Sequence, residues 1–470
     1  MRSYRWQQIP RLVRSKSGRR RLRNSIIYRL RGILIPLARL YRRTLIRHVK
    51  VVTVIGSFGK TTTTRAIATA LDLSPEKYQG DNSGVFLAAS LLSIPPWARL
   101  HVMEVGISEK GQMEKNAALI RPDIVVVTCI GSEHRLSLGN LSQTREEKAR
   151  MVRALPENGV AVLNGDDDHV LKMGSYTKAK IITHGYDDKN DFKASLISTD
   201  LTNGTLFSVI FNSEYHEIST KLFGKASMRS LMAAIIVSKE LGVDTRVALQ
   251  RLRTIKPVHQ RLEVINTTNG AYILLDTLKS AIETVELALE TLEDLPVKRK
   301  IVILGEVEER PGSIGEVYRA IGDRVARIAT HMVFLGTKRV KRPLFAEMKR
   351  KGMSNENILF AEQSVNKAKE LALQLVQPGD LVLIKGRSSQ KLERIALALM
   401  GETVSCNLEF CRQKMRCTSC LNLHKADLTR FGGHLYTWST FREELFTNAE
   451  YEASVSTGVQ TGSSTPGDRR

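Results

Sequence analysis

The stretch Gly56-Ser57-Phe58-Gly59-Lys60-Thr61 follows an apolar run at 51–55 and opens a helix-like pattern. Those residue types at that spacing suit phosphate binding. Glycines let backbone N–H groups close around phosphate oxygens, and a helix N-terminus adds favourable partial charge. Lys60 is placed to neutralise the β- and γ-phosphates of a nucleotide. Thr61, with Thr62 beside it, would bring a hydroxyl to Mg²⁺. The longer form of such a loop needs a glycine at position 54, where this chain has Val54, so this is the shorter GxxGK[ST] form. Stripped of its flanks it is a glycine-rich turn that carries a lysine. The strand before it and the helix after it argue for a nucleotide.

Three further residues stand where a metal–phosphate site needs them. Glu104 ends a strand-like run, His134 lies just past another, and Lys148 sits on a helical pattern. Ligands collect at the carboxyl ends of strands in parallel sheets, so Glu104 and His134 both fall beside the loop. Oxygen is the usual donor to Mg²⁺, so the carboxylate suits it better than the imidazole. Taken singly, Glu104 also reads as a strand-end charge, His134 as a loop residue and Lys148 as a solvated helix charge.

The elements that must position these groups alternate. Strand-like runs at 51–55, 100–105, 123–130 and 159–164 are separated by helical patterns, which argues for a parallel sheet covered by helices. A more hydrophilic, strand-rich patch spans 180–220, and 227–242 reads as a helix ending at Gly242. A second unit begins after 256–264, with strands at 271–276, 300–305, 331–336 and 380–386 and helices at 280–294, 314–328 and 364–376. The expected fold class is α/β. A phosphate-loop central domain with a mostly parallel sheet covers 50–255, and a smaller Rossmann-like C-terminal α/β domain covers 256–402. A basic arm (1–49), a cysteine cluster (403–425) and a Ser-, Thr- and Gly-rich tail (426–470), read as flexible, complete the chain.

The segments "GSFGKTTTTRAI", "DNSGV", "MEVGISEKGQM", "RPDIVVVTCIGSEH", "EEKARMV" and "GVAVLNGDDDHV" occur in that order, followed by "QRLEV", "LLDT", "VILGEVEE" and "LVLIKGRSSQKLERI". This set resembles the Mur ligase family over roughly residues 50–400. The likeness is greatest to the branch that adds D-alanyl-D-alanine to a muramoyl-tripeptide. The resemblance implies an ATP-dependent ligase that joins a carboxylate to an amine through an acyl phosphate. It implies that Gly56, Ser57, Gly59, Lys60, Thr61 and Thr62 hold ATP, and that Thr61, Glu104 and His134 bind magnesium. Lys148 matches a lysine that is carbamylated in the family. Asn164, with Asp166 and Asp167, matches a segment near the nucleotide. Arg261 matches an ATP-contacting arginine, Asp276 an acidic residue on the first strand of the C-terminal domain, and Lys385 the lysine of a "KG" motif.

The departures leave the substrates open. About 50 residues precede the loop where the family has a domain that binds a uridine-diphosphate sugar, so that domain is expected to be lacking. Ala226 and Ser230 stand where the family tends to have His and Asn. Leu278, Lys279 and Ile282 stand where the closest branch has Tyr, Asn and Pro. The leading expectation is a ligase of a cell-wall-related precursor, taking a small-molecule carboxylate and an amine. The alternatives are a catalytically reduced ATP-binding scaffold at the membrane, and an amide ligase of cofactor or amino-acid-polymer metabolism.

The net charge of +23 is unevenly placed: residues 1–50 hold 16 of the 71 Lys and Arg and none of the 48 Asp and Glu. Ile26, Leu30, Ile33, Leu34, Leu37 and Leu40 recur at helical spacing among arginines, the pattern of a basic amphipathic helix. An anionic membrane surface is one expected partner of residues 1–49. A helix packed on the body with a solvated basic face is the other reading. The arm has Tyr4, Trp6 and Tyr28 but no recognisable nucleic-acid-binding module, so nucleic acid is not expected. No run of ~18 uncharged apolar residues marks a membrane span. Cys129 stands apart from Cys406, Cys411, Cys417 and Cys420, which does not suggest a secreted disulfide framework. The expected location is the cytoplasm, peripheral at the inner membrane face. The spacing C-x4-C-x5-C-x2-C, with His424 beyond it, would close a tetrahedral structural Zn²⁺ site; a redox pair or ordinary reduced cysteines are the alternatives.

Overall fold

β1 (Lys50–Ile55), β3 (Ile124–Val127) and β4 (Val160–Asn164) are rich in Val, Ile and Leu, a composition that suits strands buried on both faces, and β2 (Leu100–Glu104) is the more polar edge strand. They pair in parallel, in the order β2-β1-β3-β4. β5 (Lys180–Gly185) and β6 (Phe192–Asp200) extend the parallel array. β7 (Gly204–Phe211) and β8 (Glu214–Thr220) close the eight-stranded sheet as an antiparallel meander. The computed structural model describes residues 16–75, 82, 84–133, 135–308, 312–409, 411, 416–420 and 423–424. The tail at 426–470 and the first 15 residues of the arm lie outside them.

Alternate residues of β1 face different cores. Val51 and Ile55 join the helices Val85–Leu92 and Gln112–Ile120 on one side; Val52 and Val54 join Lys60–Ala70 and Lys225–Glu240 on the other. A second sheet carries β9 (Glu263–Asn266), β10 (Tyr272–Asp276), β11 (Lys300–Gly305), β12 (His331–Leu335), β13 (Ile358–Phe360) and β14 (Leu381–Lys385). Its order is β13-β12-β11-β14-β10-β9, with only β9 antiparallel. The expected strands and helices are present within a few residues. β13, a three-residue edge strand, and the helix Lys338–Arg350 were not anticipated. The expected α/β class, a large mostly parallel sheet beside a smaller α/β unit, is what the chain adopts.

The arm forms two consecutive helices, Lys16–Arg29 and Arg31–Arg43, and its orientation is the reverse of a helix packed on the body by its aliphatic stripe. Ala38 and Arg42 are buried, with Ile35 and Tyr41 packed beside them. The stripe Ile26, Leu30, Ile33, Leu37 and Leu40 faces outward, each residue 43–67% exposed. The reason is Arg42. Its guanidinium donates to the carbonyl oxygens of Ile46 (2.7 Å), Val49 (3.1 Å), Ile120 (2.8 Å) and Arg121 (2.8 Å), and pairs with Asp123 at 3.2 Å. A buried charge needs this many partners, and they fix which side of the helix turns inward. Among the described residues no helix is long and apolar enough to cross a membrane.

The four clustered cysteines are not gathered into a metal-binding geometry in this structure. Among the described residues no group of three or more His, Cys, Asp or Glu side chains is arranged to hold a metal ion, and all five cysteines are free thiols. Cys417 packs instead with Leu397, Val404 and Leu423, and its Sγ accepts from Arg394 Nε at 3.4 Å. Burial, with Glu393 nearby, pushes the Cys417 thiol up to about 12. His424 is taken by the Thr403 carbonyl oxygen at 2.7 Å.

Candidate functional site

The phosphate loop joins the end of β1 to the helix Lys60–Ala70. Gly56 sits at φ 140° against β3's continuation: a Cβ there would lie 2.0 Å from Thr128 Oγ1, so no other residue fits. Gly59 (φ 80°) starts the helix in a left-handed conformation. The loop is tied to the strand beside it. Ser57 N donates to Cys129 O at 2.8 Å, and Ser57 Oγ accepts from Gly131 N at 2.9 Å. Lys60 Nζ folds back onto the carbonyl oxygens of Gly56 and Ser57, 2.9 Å from each.

The sequence-predicted residues converge on this loop from three elements. Glu104, at the end of β2, accepts from Thr61 Oγ1 at 2.8 Å and from Asn82 Nδ2 at 2.7 Å. Lys148 reaches in from the helix Leu141–Arg153, 3% exposed, and donates to Ser57 Oγ at 3.0 Å. Burial, reinforced by the Lys60 ammonium, lowers Lys148 to about 7. Arg261 lines the same pocket from the segment joining the two sheets. It sits between Gln260 (φ 64°) and Leu262 (φ 46°), two non-glycine residues in the left-handed region. Thr62 follows on the helix. His134 lies outside the described residues.

Two predicted residues are engaged elsewhere. Asn164 donates to Thr128 O at 2.9 Å and lines a neighbouring cleft between the two units with Asp166 and Asp167. Asp166 pairs with Arg229 at 3.1 Å, and Asp167 caps the short helix Asp168–Leu171. Asp276 pairs with the fully buried Lys385 at 3.1 Å, away from the phosphate loop.

Residues without an assigned role in the sequence complete the pocket. Glu133 pairs with Lys60 at 3.6 Å and, across the domain boundary, with Lys279 at 2.6 Å. Burial alone would raise the Glu133 carboxyl; Lys60, Lys279 and Lys148 outweigh it and hold it at about 2. Next to it, Glu283 accepts from Ser132 N (2.7 Å) and Ser132 Oγ (2.9 Å), a second tie between the units. Periodicity carries no signal for such cross-domain pairs. Only the departure at Lys279 hinted that this position is unusual.

The pocket therefore gathers three lysines and an arginine around a glycine loop, with one carboxylate beside a threonine hydroxyl. That is a site for a polyphosphate and a hard cation. Comparison with known proteins agrees. The Mur ligase middle domain matches residues 54–238, and the Mur ligase, glutamate ligase domain matches residues 260–388. The UDP-N-acetylmuramoyl-tripeptide–D-alanyl-D-alanine ligase of Bacillus subtilis is 28% identical over 371 residues, 76% of this chain and 77% of that protein. The Escherichia coli ligase of the same name is 25% identical over 74% of this chain and 76% of its own length. In fold, the chain is similar to the crystal structure of MurF from Acinetobacter baumannii (TM-score 0.68, 20% identity, 79% of this chain and 81% of that one). It is also similar to that of MurF from Thermotoga maritima in complex with ADP (TM-score 0.66, 21% identity, 79% and 84%). Both domains of one family thus match in order around a shared phosphate pocket, and the chain belongs to the Mur ligase family of ATP-dependent acid–amino-acid ligases.

Proposed function

We propose that this ligase activates the carboxylate of a cell-wall-related precursor as an acyl phosphate and joins it to an amine. The observation that carries the reading is the convergence of Lys60, Lys148, Arg261 and the Thr61–Glu104 pair on one loop. A carboxylate is a poor acyl donor. In the first step a carboxylate oxygen attacks the γ-phosphorus of ATP and the bond to the β,γ-bridging oxygen breaks, releasing ADP. In the second the amine nitrogen attacks the acyl carbon, the bond to the phosphate oxygen breaks, and phosphate and a proton leave.

Lys60 and the loop N–H groups would hold the phosphates, and Arg261 adds charge from the second unit. Thr61 and Glu104 are oxygen donors suited to Mg²⁺, with His134 as the third ligand that the resemblance names. Bound magnesium supplies neutralisation of the phosphate oxygens. Gly56, Ser57, Gly59 and Thr62 complete the ATP loop, and Asn164 would approach the nucleotide from its cleft; Asp276 is a positioning residue through Lys385. The four cysteines are proposed as a structural element of reduced thiols. We assign residues 50–255 and 256–402 to the two ligase domains.

Purified protein is expected to release ADP and phosphate only when a carboxylate and an amine are both supplied, a muramoyl-tripeptide with D-alanyl-D-alanine being the first pair to try. Mass spectrometry of metabolites accumulating in a deletion strain identifies the natural pair. ATP bound but turned over with no acceptor pool would instead support the scaffold.

The arm supports a second part of the proposal: a cytoplasmic enzyme held at an anionic bilayer. Its outward stripe of five aliphatic residues is bordered by Arg23, Arg29 and Arg43. Trp97, 82% exposed, lies just beyond Ile94, whose carbonyl oxygen accepts from Tyr41 Oη of the arm at 2.6 Å. Aliphatic side chains and a tryptophan bordered by arginines suit the headgroup boundary. With no acid in residues 1–50, a second copy would bring like charges together, whereas an anionic surface complements them. The arm adjoins the start of β1 and the phosphate loop its end, so one strand of about 20 Å keeps the pocket clear of the bilayer. Co-sedimentation should show salt-sensitive binding to phosphatidylglycerol vesicles, weaker by about tenfold or more for Ile33→Ser with Leu37→Ser. Equal binding of the variant, or an arm-dependent dimer indifferent to lipid, would remove this part.

A further inference from the structure

We infer that Lys279, a lysine of the C-terminal unit, contacts the terminal phosphate of bound ATP and the acyl phosphate formed from it. The inference rests on the proposed acyl-phosphate chemistry and assigns that chemistry a further catalytic residue.

Lys279 lies on the short segment between β10 and the helix Ile282–Asp294, and its ammonium reaches across to line the phosphate pocket. The segment is held from several sides. The buried Lys385 ammonium bonds the Lys279 carbonyl oxygen and is itself paired with Asp276. Glu308 N donates to Ser280 O at 2.8 Å, and Thr277 N to Gln260 O at 3.2 Å. Glu283 then clamps the start of the following helix to Ser132. A side chain on so constrained a backbone is aimed before any ligand arrives, which lowers the cost of using it.

Its partner says what it is aimed at. Glu133 bridges Lys279 (2.6 Å) and Lys60 (3.6 Å), the lysine of the phosphate loop. One carboxylate thus occupies the point where ammonium groups from both units meet. A γ-phosphate carries more charge and more acceptor oxygens than that carboxylate, and it enters the same pocket. It therefore competes with Glu133 for both lysines. ADP has no phosphate there and leaves Lys279 on Glu133. The buried Asp276–Lys385 pair gains a purpose in this scheme: it supports the backbone that presents Lys279.

The test compares affinity for ADP and for a non-hydrolysable ATP analogue by calorimetry, on the full chain with Mg²⁺. Lys279→Gln is expected to weaken the analogue by about 10- to 100-fold, the worth of a charge-assisted hydrogen bond, with ADP changed by less than about threefold. Lys279→Arg, which keeps the charge, should restore most of the difference. Lys279 is 43% exposed, so the variants should fold, and an unchanged melting temperature verifies it. Equal effects on ADP and the analogue, or none on either, overturn the inference while leaving the ligase reading intact. A wild-type protein that binds neither nucleotide overturns both.

Discussion

Lys148→Ala is expected to lower ligation by about 10²–10³-fold, the range for losing one preorganised group that stabilises transferring charge. Lys148 is 3% exposed and 3.0 Å from Ser57 Oγ, and burial beside Lys60 lowers it to about 7. A lysine with an ordinary pKa would be an ammonium ion at neutral pH and could not react with carbon dioxide. Here a large share is neutral amine. We propose that its lone pair attacks CO₂, an N–C bond forming as a proton leaves, as the family resemblance implies for this lysine. The proposed carbamate would be an anion beside Lys60, so the charge unfavourable to an ammonium ion would favour the modified side chain. It would also bring carboxylate-type oxygens to the pocket that holds Thr61 and Glu104.

Two consequences follow for solution behaviour. Stripping carbonate from the buffer should reduce the rate reversibly, and ¹³C-bicarbonate should give a carbamate resonance that Lys148→Ala abolishes. The pH dependence has a definite sign: as pH falls through about 7 Lys148 takes up a proton, carbamate is lost, and the rate declines on the acid side. A rate indifferent to bicarbonate, in a variant as active as the parent, would rule out the modification.

The second large effect is on stability. Arg42→Ala should destabilise the protein by about 3–5 kcal/mol, because it leaves Asp123 without its buried partner and removes the guanidinium donor from the carbonyl oxygens of Ile46, Val49, Ile120 and Arg121, of which Ile46 O keeps Val49 N. Asp123 retains Val51 N at 2.9 Å and Lys50 at 3.3 Å, which places the loss toward the lower end. Arg42→Lys should recover little of it, since a compact ammonium cannot reach acceptors spread around a planar fork. The denaturant midpoint measures the loss, and limited proteolysis between the arm and β1 should accelerate in parallel. A change under about 1 kcal/mol would mean that the arm is not fastened by this residue.

Much of the molecule is written locally. The β1–loop–helix unit is legible because each part has its own signal: a buried strand is a run of Val and Ile, and Gly56 and Gly59 stand where the backbone turns left-handed. Alternating strands and helices likewise announced both sheets, since a parallel strand needs a crossover. Glu104 and Lys148 were found because they sit at predictable ends and faces of such elements. The short β13 escaped notice because three residues carry no usable period.

What no local pattern carries is the choice among equivalent charges and apolar stripes. The arm's spacing identifies a helix, but a helix with aliphatic residues on one side and arginines elsewhere can pack either way. Arg42 turns inward because carbonyl oxygens of the turn that follows it and of the distant Ile120 and Arg121, with Asp123, await it, and the aliphatic stripe is left facing out. The cysteine spacing suggested zinc, yet the fold gives Cys417 to Arg394 and a small apolar cluster. Glu133 and Lys279 lie 146 positions apart in the chain, and they meet because the end of β3 and the end of β10 face each other across the domain boundary. The sequence by itself determined the strands, the phosphate loop and the chemistry they serve. The tertiary structure alone decided which charges are buried, which apolar face stays in the open, and which lysine of the second unit reaches the phosphates. Burial and pairing depend on what distant segments bring to the same place.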